Sequence, residues 1–328
     1  MSDALIVGDV HLSDRPPSSR TDGYAEEILA KLAWCAIYAN HPGPGQSSLP
    51  MVLAGDLFHI KVPWRTSYGL VQRTHDILRT VERGVWVVPG NHDLSHDRME
   101  SLASQPLGAL CRMGNVHLLD GYDDALPAIN GIPWHGVFDG GDWVSVLERY
   151  TGEWLDNDRI PNLVVTHAPI FPGGKEPGVY ASIPASQWAA VLGAADIHAT
   201  YYGHIHEQHG EYEVGSHIFA NFGAISRGSI HEESVNRWPA VTQWAEASGR
   251  FYRIDLPKEV VKPPEEVFRF AEVEQHKATE SMTRAFEAAL GEVKLANLTT
   301  EEVLAYVRRE DVPPQVLTVI ESVLEMVL

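Results

Sequence analysis

Short apolar runs alternate along the chain with stretches whose apolar residues recur at helical spacing. Leu5-Ile6-Val7, Met51-Val52-Leu53-Ala54 and Val85-Trp86-Val87-Val88 read as buried strands. Between the first two, Ile28, Leu29, Leu32, Cys35 and Ala36 predict an amphipathic helix over residues 24–39. Between the second and third, Leu70, Val71, Ile77, Leu78 and Val81 predict a helix over residues 66–83, stopped by Gly84. The Pro- and Gly-rich residues 41–48 form a loop by composition. Residues 116–119 and 128–132 read as strands of a second sheet layer. Residues 163–166 and 197–202 add two more strands, with a helix over 187–192 between them. Apolar runs at 217–222, 241–244 and 251–256 complete the β part. The alternation of strand and helix predicts a layered α/β domain, whose ligands gather at the carboxyl ends of its strands.

The character of the chain changes at residues 257–265, where Lys258-Glu259-Val260-Val261-Lys262-Pro263-Pro264 reads as a linker. Residues 1–256 are therefore expected to form the main domain with a short β cap-like end, and residues 266–328 a small helical tail. In that tail Thr299-Thr300-Glu301-Glu302 offers a capping start. Val316, Ile320, Val323, Leu324 and Val327 form an apolar stripe. The stripe reads either as a helix pair packed on its own domain or as a docking face. No run of about 18 apolar residues occurs, which argues against a membrane span. Met1-Ser2-Asp3-Ala4 supplies no basic segment of the kind that opens a signal peptide. Cys35 and Cys111 stand far apart without a CxxC spacing. Together these features predict a protein of the reducing cytoplasm. The formal charge of −19 counts against a general binder of phosphate backbones.

Ligating residue types follow the strands. Asp9-Val10-His11, Asp56, Asn91-His92, His167 and His204-Ile205-His206 each stand at a strand end. Asp-x-His sets two ligating side chains on one side of an extended segment, because side chains alternate with period two. Each cluster alone is explained as a cap or a turn; Gly90-Asn91-His92-Asp93 reads equally as a turn or as part of a site. Recurrence at strand after strand argues for a shared site. Carboxylate, amide oxygen and imidazole without thiolate suit Mn2+, Fe2+ or Zn2+.

Taken in order, D-V-H, G-D-L-F-H, G-N-H-D, T-H-A-P and G-H-I-H resemble the calcineurin-like metallophosphoesterase superfamily, over residues 4–256. The resemblance implies a four-layer β-sandwich flanked by helices, with two divalent metals at one edge. By motif, Asp9, His11 and His206 would hold one metal and Asn91, His167 and His204 the other, with Asp56 bridging. A water activated between the cations would attack phosphorus in line, and His92 would face the leaving oxygen. Asp93 would either orient His92 or stabilise the turn. G-D-L-F-H in place of the phosphatase-like G-D-x-x-D-R-G, with Leu12 after D-V-H, is similar to SbcD-type DNA repair exonucleases; Ser13 replaces the glycine of that group. This closer resemblance implies a Mn2+-dependent DNA exo- or endonuclease, with Fe2+, Zn2+ or Mg2+ as other metals. His59 would then assist at the phosphate or position DNA. It also implies that the helical tail docks on an SbcC-type ATPase partner, and that the chain forms a homodimer through the helices after the first two strands.

Substrate contacts are less defined. Arg15, Arg20, Lys61, Arg65, Arg98 and Arg227 would guide a phosphate backbone or serve as ordinary solvated charges. Trp64, Tyr68 and Trp134 would stack bases or pack internally. An alternative function is hydrolysis of a small-molecule or nucleotide phosphodiester. The acidic charge favours it, as does the shortness of residues 207–256, which alone remain for a DNA-binding cap. An inactive scaffold ranks last, because every ligand is retained.

Overall fold

The computed structural model describes residues 3–17, 19–20, 23–59, 61–173, 182–228, 235–269, 271 and 274–275. The chain clusters into two units, Met1–Val273 and Glu274–Leu328, and the described strands all lie in the first. The capping start and apolar stripe expected in the tail lie outside the described residues.

Two sheets form the centre. In the first, β1 (Ala4–Val7), β2 (Met51–Leu53), β3 (Val85–Val87) and β4 (Val116–Leu118) run parallel. The antiparallel pair β12 (Ala240–Ala245) and β13 (Arg250–Asp255) extends that sheet on the free side of β1. In the second, β5 (Ile129–Ile132), β6 (Leu163–Thr166), β9 (Ala199–Tyr202) and β11 (His217–Asn221) run parallel, and β10 (Gly210–Val214) closes the edge as a hairpin with β11. A short parallel pair, β7 (Ile170–Phe171) and β8 (Ile183–Pro184), stands apart from both.

Both faces of the central strands are apolar, and alternate residues serve different layers. Ala4, Ile6, Val52, Ala54 and Trp86 meet Leu163, Val165, Ala199, Tyr201 and Phe222 in one core between the sheets. Leu5, Val7, Met51, Leu53, Val85 and Val87 join a second core with the helices. Those helices include α1 (Tyr24–Asn40), α2 (Tyr68–Leu78) and α3 (Pro106–Met113). Val164 and Tyr202, on the second sheet, share that core with Leu147 of α4 (Trp143–Asp156) and Trp188 of α5 (Ala185–Gly193). Helix, sheet, sheet, helix gives the expected four layers. Strands buried on both faces read as continuous apolar runs, which explains why these were visible in the sequence.

Several elements differ from expectation. Residues 116–119 were expected in the second layer, but Val116 pairs with Val85, so β4 is the edge of the first sheet. The α2 helix is shorter than residues 66–83. Ser67 Oγ caps it by accepting from the Leu70 N–H at 3.0 Å. Its far end tightens into i→i+3 bonds, Thr80 N–H to Ile77 O and Val81 N–H to Leu78 O, each 3.1 Å. The strands of residues 207–256, expected as a cap-like end, are members of the two main sheets. Beyond them, Val261 is buried, as are Val267 at the end of α6 (Pro264–Val267) and Phe268.

Candidate metal centre and active site

The parallel register brings the strand ends to one edge. Val7 lies level with Leu53 and Leu53 with Val87, while in the other sheet Thr166 lies level with Tyr202. The loops that follow turn sharply: His11, Asp56 and His204 adopt left-handed backbone at φ 52°, 49° and 67°. Two motif glycines are required by close approach. A Cβ on Gly55 (φ 101°) would run into the His167 ring, and one on Gly90 into the Asp56 carboxylate. Backbone N–H groups aim the carboxylates: His204 N–H donates to Asp9 Oδ1 at 3.0 Å and His92 N–H to Asp56 Oδ1 at 2.7 Å.

The seven expected ligands converge. Donor atoms of Asp9, His11 and His206 lie within 4.8 Å of one another, and so do those of Asp9, Asp56 and His167. His11 Nε2 faces His206 Nε2 at 2.8 Å and Asp56 Oδ2 at 3.7 Å. His167 Nε2 lies 3.3 Å from Asp56 Oδ2. Asn91 Oδ1 sits between His167 Nε2 at 3.3 Å and His204 Nδ1 at 3.2 Å. The far nitrogen of His167 donates to the Ala54 carbonyl at 2.7 Å, which fixes the ring and turns Nε2 toward the site.

The electrostatics call for a cation. Burial pushes the Asp9 carboxyl up, against the attraction of His167 and His206. Burial also pushes Asp56 up, but the charge and hydrogen bond of His167 prevail and hold it well below the usual carboxylate range. Burial opposes charging of His167, yet Asp56 and Asp9 raise it to about 9. His11 is held well below the ordinary imidazole value by burial and then by His206. Burial, then His167, lowers His204 to about 3. His11 and His204 are thus held toward the neutral form while Asp56 is held ionised, and Asp9 Oδ2 is buried with no hydrogen-bond partner. A buried Asp9 carboxylate whose Oδ1 is approached by His11, His167 and His206 at 3.8–3.9 Å, and whose Oδ2 lacks a hydrogen bond, fits divalent metal.

A family model for calcineurin-like phosphoesterases matches residues 3–208. The chain belongs to this family. It has the family's α/β fold and the clustered His and Asp groups of a metal-dependent phosphoesterase. None of the curated proteins compared matches the chain.

Around the metal-ligand cluster of this calcineurin-like phosphoesterase, the remaining expected residues divide. His92 and His59 reach it: with His11 they form a third group of donor atoms within 4.8 Å. His92 Nδ1 bonds the His59 carbonyl, and His59 Nδ1 lies 3.3 Å from His11 Nδ1. Asp93 does not touch His92. Buried, it accepts from the N–H groups of Gly90 at 3.0 Å and of Leu57 and Phe58 at 3.3 Å, so it staples the Asp56 loop to the Asn91 loop. Of the two readings its turn-stabilising role is the one observed. Burial and the charge of Asp56 push it up to about 7.

Lys61 pairs with Asp97 at 3.3 Å at the half-exposed rim. Arg15 and Arg98 are exposed, as is Arg65. Trp64 and Tyr68 are 84% and 77% exposed, so neither packs internally. Trp134 is buried; its ring stacks on His204 with centroids 4.9 Å apart, and its Nε1–H donates to Asp97 Oδ1 at 3.1 Å. Of the two expectations for it, base stacking and internal packing, internal packing is what is seen, against the His204 ring. Arg20 and Arg227 are buried in ion pairs around Glu27 and are not phosphate guides. Asp97 and the Glu27 cluster were not read from the sequence; Asp97 meets Lys61 and Trp134, and Glu27 meets Arg227, across long stretches of chain.

Proposed function

We propose that the chain is a dinuclear-metal phosphodiesterase acting on DNA, an exo- or endonuclease of the SbcD type that uses Mn2+. The observation carrying this reading is the place of His59: the third imidazole of the G-D-L-F-H block stands beside His92 and His11. Asp9, His11 and His206 would hold one metal and Asn91, His167 and His204 the other, with Asp56 available to both. When bound, two such cations lower the pKa of water and neutralise charge on the phosphoryl oxygens. His92 Nδ1–H donates to the His59 carbonyl, which leaves Nε2 as the atom that passes a proton to the leaving oxygen. His59 Nδ1 accepts from His11 Nδ1–H, so that His11 presents Nε2 to the metal and His59 keeps Nε2–H for a phosphate oxygen. Exposed Trp64 and Tyr68 offer faces for bases, while Lys61, Arg15 and Arg65 supply positive charge at the rim. In this reading the C-terminal tail docks on an SbcC-type ATPase, and the chain pairs as a homodimer in the cytoplasm.

A second reading, hydrolysis of a small nucleotide or other small phosphodiester, draws on one finding. The four described strands between residues 207 and 256 belong to the two sheets, and no separate cap is seen among the described residues. The deciding experiment incubates the protein and Mn2+ with linear single- and double-stranded DNA, beside bis-p-nitrophenyl phosphate. Cleavage of DNA supports the nuclease. Cleavage of the small diester with inert DNA selects the second reading.

A further inference from the structure

The loop after Asn91-His92-Asp93 contains two consecutive non-glycine residues in left-handed backbone, His96 at φ 53° and Asp97 at φ 55°. L residues avoid this conformation, and it persists where surrounding structure holds it. Here it delivers the Asp97 carboxylate to the Trp134 indole, whose Nε1–H it accepts at 3.1 Å. Gly136, two residues past the indole, makes room: a Cβ there would crowd the Asp97 Cβ at 3.3 Å. The Trp134 backbone is tied as well, its N–H donating to the Pro89 carbonyl at 2.9 Å, one residue before Gly90-Asn91. The indole so fixed lies against the His204 imidazole at 4.9 Å and 25°, and it meets the His167 ring edge-on at 6.3 Å. His167 is anchored by the Ala54 carbonyl, and His204 turns Nδ1 toward Asn91 Oδ1 at 3.2 Å with the indole against its ring face.

We propose that Trp134, clamped by Asp97, is a positioning residue for His204: the indole is the wall that sets the plane of the imidazole, and thereby the direction in which Nδ1 meets a metal. Trp134 does not itself touch substrate, because only 5% of it is exposed and its one polar hydrogen is engaged by Asp97. This inference rests on the metal reading of the site and not on the DNA reading, so its test contains no nucleic acid.

The test titrates the full chain with Mn2+ by calorimetry, alongside kcat and KM for bis-p-nitrophenyl phosphate. Trp134→Ala is expected to weaken Mn2+ binding at one of the two sites by about 10–100-fold, as loss of an orienting partner does, and to lower kcat more than it changes KM. Trp134→Phe keeps a flat wall and is expected to restore most of the affinity. Asp97→Asn keeps an acceptor oxygen and tolerates left-handed backbone, so it stays near the parent, whereas Asp97→Ala falls between. A folded Trp134→Ala protein that binds Mn2+ like the parent at both sites overturns the proposal. Equal loss in the Phe and Ala variants overturns it too. If Trp134→Ala does not fold, Asp97→Ala decides, and parental Mn2+ affinity there overturns the clamp.

Discussion

Two clusters of buried charge lie on either side of one residue, Ile225, and they behave oppositely. The Ile225 N–H donates to the Asp9 carbonyl on the metal-ligand side, while its own carbonyl accepts from Lys31 Nζ at 3.0 Å on the other. On the Lys31 side, Glu27 is surrounded by Arg20, by Lys31 at 2.7 Å and by Arg227 at 3.7 Å. Further donors there go to backbone carbonyls: Arg20 Nη1 to Arg227 O at 2.6 Å and Arg237 Nη2 to Ser226 O at 2.7 Å. Each Glu27 oxygen has a cation within ion-pair distance. Glu27 Oε1 and Asp9 Oδ2 both lack a hydrogen bond, but Lys31 Nζ lies 2.7 Å from the first, whereas the ion pairs of Asp9 run to Oδ1 at 3.8–3.9 Å and imidazole nitrogens crowd together. The first cluster binds chain to chain; the second is organised for something brought in. Charge at a strand end therefore does not mark a site by itself. What marks it is the carboxylate oxygen left over.

That contrast can be broken most sharply at Asp56. Asp56→Ala is expected to abolish Mn2+ binding in calorimetry and reduce turnover of bis-p-nitrophenyl phosphate to background; retained binding would remove its bridging role. His92→Ala should keep both metals and lose about 10²–10⁴-fold in kcat, the usual worth of a positioned acid. Unchanged kcat would take the proton donor elsewhere. On the closed side, Glu27→Gln should destabilise the fold by about 3–5 kcal/mol in urea, because it leaves buried cations without their anion. Mn2+ affinity should not move; if it does, the two clusters are one system.

The smallest effect is a pH dependence. Burial lowers Lys31 to about 8, against the pull of Glu27, from an ordinary value of 10.5. Between those values the unfolded chain binds more protons than the folded one, so stability from this residue rises with pH. Below about 8 the penalty of the buried ammonium is fully present, and above the unfolded value it is gone. The stability difference between Lys31→Met and the parent should therefore shift by roughly 3 kcal/mol in the parent's favour from pH 8 to 10.5. A flat difference in urea titrations would mean that Lys31 is not strained by its burial.

Much of this was legible before any coordinates. The site residues were readable because a parallel sheet places strand ends at one edge, so local sequence carries long-range information there. Elsewhere the partner decides, and it is not adjacent. Arg20 and Arg227 read as phosphate guides or solvated charges because the contact that buries them brings together segments 207 residues apart. The place of β4 depended on pairing with β3, which an apolar run of three residues does not encode. Asp93 offered two roles, and only the N–H groups of Leu57 and Phe58 choose between them. The α4 helix had a signal that was missed: Asp142 accepts from the Ser145 N–H, and Leu147, Tyr150 and Trp154 form its buried face.

The left-handed backbone at His11, Asp56 and His204 sets the terms on which this protein can evolve toward heat resistance. Each is a position where glycine would relax the chain, by about 1 kcal/mol or more. Selection or design for thermal tolerance alone would drift toward glycine at all three, and each step would erase a ligand. Lineages that keep the chemistry must find their robustness in the helices and sheet edges, leaving these loops as the part that stability screens should hold constant.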